Sequence, residues 1–278
     1  MQIGTTGRRE IDKILLRPRH DCDNAPKRGG GRVTQDRTCA LVVIGNEILS
    51  GKVRDSNAYF AARELRALGV TLRRIVVVAD ELDAIAQEVS ACANVFDVVL
   101  TSGGVGPTHD DVTMAGVAQA FGRRLERHPE LEDRIRRRAE GQPLPASLRM
   151  AEVPQGAVLN TGGEIGFPTV QVENVFVLPG IPQLFEAKLR ALGPRLAAAP
   201  YFLRAIYLNV GESPIASHLD DCLRRFPALM LGSYPTMGDA PYRVKLTLES
   251  KDRAMLAAAF DYLVELLPAE AIIRTEGP

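Results

Sequence analysis

The chain has 278 residues, 46% of them hydrophobic and 24% charged, and its 34 basic and 34 acidic side chains cancel to a formal net charge of zero. That length can bury a substantial core in one large or two modest domains, and the charge balance gives no global electrostatic reason to expect a nucleic-acid partner. No apolar run reaches membrane-spanning length, the N-terminus lacks the apolar centre of a signal peptide, and Cys22, Cys39, Cys92 and Cys222 form no Cys-x-x-Cys pair; the expectations are no membrane, no zinc site, reduced thiols and a cytoplasmic setting.

Residues 1–37 combine Gly29-Gly30-Gly31 with scattered arginines and prolines, and their apolar content is a short patch, Ile14-Leu15-Leu16. Such a segment buries too little surface to offset its ordering entropy, so it reads as a disordered basic leader; a start codon assigned too far upstream is the alternative. From Cys39 the pattern becomes regular. Ala40-Leu41-Val42-Val43-Ile44 reads as a strand buried on both faces, followed by Gly45-Asn46-Glu47 and a helix that opens at Asp55-Ser56 and stops at Gly69. Residues 72–78 form the next strand, residues 82–93 a helix opened by Asp80-Glu81, and residues 95–100 the strand that enters the central motif.

That motif is Thr101-Ser102-Gly103-Gly104-Val105-Gly106-Pro107-Thr108-His109-Asp110-Asp111, with a helix expected over 112–121. Three glycines permit positive φ and close backbone approach, and the following helix start favours negative charge, so the natural guest is a phosphate. Two aspartates beside a phosphate would repel it unless a hard cation such as Mg²⁺ bridged them. The alternative for Asp111 is an N-cap, accepting from Thr113 or Met114. The basic run Arg134, Arg136, Arg137 and Arg138 is interspersed with Glu130, Glu132, Asp133 and Glu140, which reads as a solvated helix face.

A later unit, residues 174–178 followed by Pro179-Gly180-Ile181-Pro182 and a helix to about residue 192, repeats the strand-turn-helix pattern. Between them, residues 161–166 (Thr161-Gly162-Gly163-Glu164-Ile165-Gly166) read as a second cradle or a hairpin turn. Strands alternating with helices close right-handed into a three-layer α/β/α fold with a mostly parallel sheet, here residues 38–196. Every strand-to-helix turn then lies on the carboxyl edge, where Glu47, Asp55, Asp80, Asp110 and Asp111 could converge.

Residues 194–200, proline and alanine rich, read as a domain boundary. Residues 200–278 then give strand (202–209), helix (213–225), two strands (229–234 and 242–248), helix (253–267) and strand (271–274), the order of a ferredoxin-like α+β domain. Tyr234 and Tyr242 read either as half-buried sheet residues or as groups reaching the cleft.

The runs Val43-Ile44-Gly45-Asn46-Glu47-Ile48-Leu49-Ser50-Gly51, Asp55-Ser56-Asn57, the glycine motif through Thr113, and Leu178-Pro179-Gly180-Ile181-Pro182 resemble the MoaB/Mog molybdopterin-binding fold. More narrowly they resemble the N-terminal region of CinA-like (competence/damage-inducible) proteins and the molybdopterin-binding-like domain of eukaryotic FAD synthases. The segments Leu231-Gly232-Ser233-Tyr234-Pro235 and Tyr242-Arg243-Val244-Lys245-Leu246-Thr247 look especially like the FAD synthase version.

The resemblance implies that the glycine loop and its aspartates hold a nucleotide or pterin phosphate with a divalent metal (Mg²⁺, Mn²⁺ or Co²⁺). It also implies either hydrolysis of the FAD or ADP-ribose pyrophosphate, in some relatives responsive to potassium, or molybdopterin or nucleotide binding without chemistry, linked to molybdenum cofactor synthesis. Matching motif positions are Glu47, Asp55, Asn57, Gly103, Gly104, Gly106, Asp110, Asp111, Gly180 and Pro182, with Gly45, Thr101, Ser102 and Pro179 in the same runs; Asp80 matches through a shorter turn. Asp110, Asp111, Glu47 and Asp80 are the catalytic candidates, and Asp110 and Asp111 the metal ligands. Relatives form dimers or trimers, so a homo-oligomer is expected. The CinA deamidase and FAD-synthase synthetase domains have no counterpart in these residues, and neither activity is implied.

Overall fold

The computed structural model describes residues 36–139, 142–161 and 167–277. Most of the expected leader and residues 162–166 of the second glycine-rich loop lie outside the described residues.

The chain runs β1 (Thr38–Ile44), α1 (Asn46–Leu49), α2 (Asn57–Ala67), β2 (Thr71–Val78), α3 (Leu82–Ala93), β3 (Val98–Ser102) and α4 (Thr113–Ala120). It continues through β4 (Leu125–Arg127), α5 (Pro129–Arg138), α6 (Pro145–Arg149), β5 (Glu152–Pro154), β6 (Val158–Asn160), β7 (Thr169–Val172), β8 (Val175–Leu178) and α7 (Pro182–Leu196). The main sheet has strand order β2-β1-β3-β8-β7-β6. Its first four strands pair in parallel and the last two antiparallel. The expected mostly parallel sheet is therefore present with a short mixed edge.

Side-chain alternation along the central strand explains the three layers. Ala40, Val42 and Ile44 pack with Ile85 and Val89 of α3, Val117 of α4, and Leu131 and Ile135 of α5. Cys39, Leu41 and Val43 point the other way, against Ala61 and Leu65 of α2 and Phe185, Leu189 and Leu192 of α7. The arginine-rich segment is the outer face of α5, where Arg134 pairs with Glu130 and Arg136 with Glu132. Cys39, Cys92 and Cys222 are free and buried. No described helix is long and apolar enough to cross a membrane.

Helix α7 runs through Pro194 to Leu196, into the segment expected to form the domain boundary. Proline is tolerated there because it falls in the last turn, where the missing N–H removes one helix bond. Beyond it come β9 (Phe202–Leu208), a 3₁₀ turn (Ser213–Ile215), α8 (Ala216–Arg225), β10 (Met230–Pro235), β11 (Val244–Ser250), α9 (Arg253–Leu266), a second 3₁₀ turn (Ala269–Ala271) and β12 (Ile272–Glu276). The second sheet, ordered β10-β11-β9-β12, is antiparallel throughout, which is the ferredoxin-like arrangement. Ile206, Leu208, Leu246 and Leu248 bury one of its faces with Cys222 of α8 and Leu256, Phe260 and Leu263 of α9. The two parts meet where the Arg66 guanidinium stacks 3.3 Å from the Tyr201 ring centre and pairs with Glu249. Lys251 donates to the Gly69 carbonyl at 2.6 Å beside them.

Candidate functional site

Four loops meet at the carboxyl edge of the parallel strands, after β1, β2, β3 and β8. Asn57, buried at the start of α2, stitches three of them, donating through Nδ2 to Ser102 Oγ at 2.9 Å and to the Gly180 carbonyl at 2.8 Å. Gly103 has φ 110°, and a Cβ there would lie 2.1 Å from the Ile44 carbonyl oxygen, so the close passage of the β1 and β3 ends requires glycine. Thr113 then pins the loop to α4, its hydroxyl donating to the Gly103 carbonyl at 2.8 Å and its N–H to the Gly104 carbonyl at 3.0 Å. The Gly103 N–H donates to the Leu178 carbonyl, whereas the N–H groups of Gly104, Val105 and Gly106 make no hydrogen bond among the described residues.

The carboxylates separate into distinct settings. Asp111, half-buried, accepts at Oδ2 from the Thr108 N–H at 2.8 Å and from the Thr108 hydroxyl. It shapes the glycine loop and does not cap α4, which has no side-chain cap. Glu47 is exposed, and its carboxylate has no partner among the described residues. Asp80 accepts the Asn46 N–H at 2.7 Å and so braces α1. Asp55, one residue before the N-cap Ser56, accepts the Asn57 and Ala58 N–H groups at 2.9 and 3.2 Å and so satisfies the first two donors of α2. Asp110 is exposed at the loop tip, 3.9 Å from His109 Nδ1. The nearby Thr108 hydroxyl and its own backbone N–H hold its carboxyl below the ordinary carboxylate value. His109 is fully out in solvent, its side chain 96% exposed. Among the described residues, no three His, Cys, Asp or Glu side chains cluster closely enough to hold a metal by themselves.

A cleft of about 570 Å³ opens beside the loop, lined at one end by Glu47, Asp111, Pro179, Gly180 and residues 103–107. Apart from Lys188, its remaining walls are apolar: Met114, Leu131, Met150, Phe167, Pro168, Val170, Val177, Ile181 and Leu184. Gly103, Gly104, Gly106, Asp111, Glu47, Pro179 and Gly180 thus come together on the cleft surface. Asn57, Thr101 and Ser102 lie buried behind it, and Gly45, Asp55, Asp80, Asp110 and Pro182 flank it without lining it. Tyr234 and Tyr242 do not line it either; Tyr242 packs edge-on against Tyr207 at 4.8 Å.

One polar residue of the cleft carries no motif. Lys188 of α7 lines it, donates to the Phe167 carbonyl, and has its ammonium pKa lowered by burial. A signal for it does exist in the sequence, since Lys188 follows Leu184 by one turn on the inner stripe of α7. The apolar wall gives no such signal, because its residues come from distant segments.

Residues 40–198 match the family described as "Probable molybdopterin binding domain", and residues 200–276 match "FAD synthase, middle domain". A "Probable FAD synthase" of Caenorhabditis briggsae is 34% identical over 261 residues, covering 84% of this chain and 50% of that protein. Its Caenorhabditis elegans counterpart is 32% identical over 269 residues, covering 87% and 52%. This chain therefore spans about half the length of these relatives. An Archaeoglobus fulgidus protein is 31% identical over 227 residues, covering 82% of this chain and 96% of its own length. Among solved structures, the CinA protein of unknown function from Thermoplasma acidophilum superposes with a TM-score of 0.54 at 31% identity, over 58% of this chain and 98% of that one. With its MoaB/Mog-type fold, its glycine loop and a FAD-synthase middle domain behind it, the chain belongs to the molybdopterin-binding domain family.

Proposed function

We propose that the cleft binds a dinucleotide through its pyrophosphate and hydrolyses it with the help of a divalent cation, FAD or ADP-ribose being the substrate and AMP a product. The observation that carries this reading is the set of N–H groups at Gly104, Val105 and Gly106, unpartnered among the described residues, on a cleft wall shared with Asp111 and Glu47. Backbone donors fixed in place before the reaction stabilise charge on phosphate oxygens without reorganising. The start of α7 at Pro182, behind Gly180, adds the positive end of a helix dipole.

Mg²⁺-type ions need only one or two carboxylates when substrate phosphates complete their coordination. Asp111, with Oδ1 uncommitted, and Asp110 at the rim fit such an ion despite the lack of a three-residue cluster among the described residues. Bound there, Mg²⁺, Mn²⁺ or Co²⁺ would supply charge neutralisation at the pyrophosphate. Glu47 is the carboxylate free to take a proton from the attacking water, because Asp80 is committed to the Asn46 N–H. Thr108 keeps Asp111 oriented, and the apolar walls exclude bulk water from the bound ring.

The test is AMP release from FAD and ADP-ribose with each cation, in the presence and absence of KCl, beside Asp110→Asn and Asp111→Asn. Metal-dependent release that both substitutions remove supports the reading. A second reading, a molybdopterin or nucleotide-binding protein without turnover, is favoured by the absence of a self-sufficient metal cluster among the described residues. Saturable binding of pterin or nucleotide with no AMP release would establish it. The expected dimer or trimer is read separately, by light scattering.

A further inference from the structure

The cleft is chemically two-ended. Pro182, the first residue of α7, sits at the glycine-loop end. With a rise of about 1.5 Å per residue, Lys188 lies roughly 9 Å farther along the helix axis. The cleft wall it shares is otherwise apolar, with Leu184 one turn before it on α7 and Met114, Met150 and Phe167 lining the same cleft. The Lys188 ammonium donates to the Phe167 carbonyl. An ammonium has three N–H donors and no acceptor, so this bond, the one Lys188 makes among the described residues, leaves donors uncommitted in a half-buried, apolar setting. A ligand that brings acceptors to this end of the cleft meets a charged donor in apolar surroundings, and charge-assisted hydrogen bonds are the stronger kind.

We propose that Lys188 is the specificity-determining residue of a ring subsite that takes a planar heterocycle edged with carbonyl oxygens, a flavin or a pterin, in preference to adenine. Phe167, Leu184, Met114 and Met150 supply apolar surface for the ring, and Lys188 donates to its carbonyl edge. Adenine carries no ring carbonyl; its acceptors are single ring nitrogens, and N1 and N7 each lie beside an amino donor that opposes the ammonium. The subsite deepens the pyrophosphate reading and rests on it for the placement of the phosphates, with the ring lying beyond them along α7. For FAD it orients the flavin half inward and leaves the adenosine half toward the open rim.

Equilibrium dialysis of the full chain in EDTA, which prevents turnover, tests the subsite with FAD, riboflavin, neopterin and ADP-ribose as probes. The unaltered protein should bind FAD about tenfold more tightly than ADP-ribose, a difference on the scale of one charge-assisted hydrogen bond. Lys188→Met should remove that preference, weakening FAD about tenfold and ADP-ribose less than twofold, and Lys188→Arg should retain it. Riboflavin and neopterin distinguish a flavin from a pterin as the preferred ring. Equal affinity of the unaltered protein for FAD and ADP-ribose would overturn the proposal without recourse to a variant. So would equal losses for both ligands in a folded Lys188→Met protein, which would place the ammonium on the phosphates. AMP release is scored independently: preference for FAD without hydrolysis keeps the subsite and rejects the pyrophosphatase, while equal binding with hydrolysis does the reverse.

Discussion

The Asn57 side-chain amide donates to the Gly180 carbonyl at 2.8 Å, joining positions 123 residues apart in the chain and tying the start of α2 to the turn that opens α7. Its second N–H goes to Ser102 Oγ, so one buried side chain sets the spacing of three loops around the cleft. Asn57→Ala leaves the Gly180 carbonyl without this donor and should cost about 1–3 kcal/mol. Thermal denaturation should report a melting temperature lower by several degrees. An unchanged value would mean that the loops hold their positions without it.

Gly103 offers a sharper test of backbone geometry. An alanine Cβ there would sit 2.1 Å from the Ile44 carbonyl oxygen at φ 110°, whereas at Gly51, with φ 71°, nothing lies within 4 Å. Gly51→Ala should cost about 1 kcal/mol, the penalty of the left-handed conformation alone. Gly103→Ala should cost several times that, because two backbones must separate. Urea unfolding of both variants measures the difference, and equal midpoints would show that the loop is not held against β1.

Acid sensitivity has a local source at the opposite end of the sheet. The Thr38 hydroxyl and N–H both donate to Asp97 Oδ2 at 2.7 Å, holding that carboxyl below its ordinary value of 3.8. A lowered carboxylate stabilises the folded state above the unfolded value and loses that contribution as pH falls through the folded value. Asp97→Asn should therefore be less stable than the parent at pH 7, and the gap should narrow below about pH 4. A gap independent of pH would assign the effect to packing.

The contact between the two parts of the chain depends on Arg66, stacked on Tyr201 and paired with Glu249. Its side chain is 30% exposed, so solvent screens the ion pair and stacking should carry more of the effect. Arg66→Ala should destabilise by about 1–2 kcal/mol and Arg66→Lys by nearly as much, since a lysine cannot reproduce the planar stack. Limited proteolysis should then cut more readily near residue 200. A fully tolerant Arg66→Lys would point to charge alone.

Much of the fold was legible because it is written locally. Alternation along β1 and helical stripes on α2, α3 and α7 repeat over enough residues to be read, and Pro182 and Gly69 mark helix ends. Strands β4 to β7 were not legible. Each has three or four residues, too few for a period to show, and their pairing depends on partners elsewhere in the chain. At the site, the glycine motif located the loop, but acidic type did not separate roles. Asp55 and Asp80 bond backbone N–H groups, while Glu47 and Asp111 line the cleft, and that division follows from loop geometry. Lys188 and the apolar wall went unread because a binding surface gathered from α4 to α7 leaves no contiguous motif.

Chromatographic detection of AMP released from FAD, with and without Mn²⁺, by the unaltered protein, Asp111→Asn and Glu47→Gln, tests the proposed chemistry most directly. Turnover should require the cation and should fall by at least about 10²-fold in Glu47→Gln, the scale of losing a positioned proton acceptor, and comparably in Asp111→Asn through loss of a cation ligand, while melting temperatures stay within a few degrees of the parent. Folded variants that release AMP at the parental rate, or a parent that binds FAD and never cleaves it, would contradict hydrolysis at this cleft.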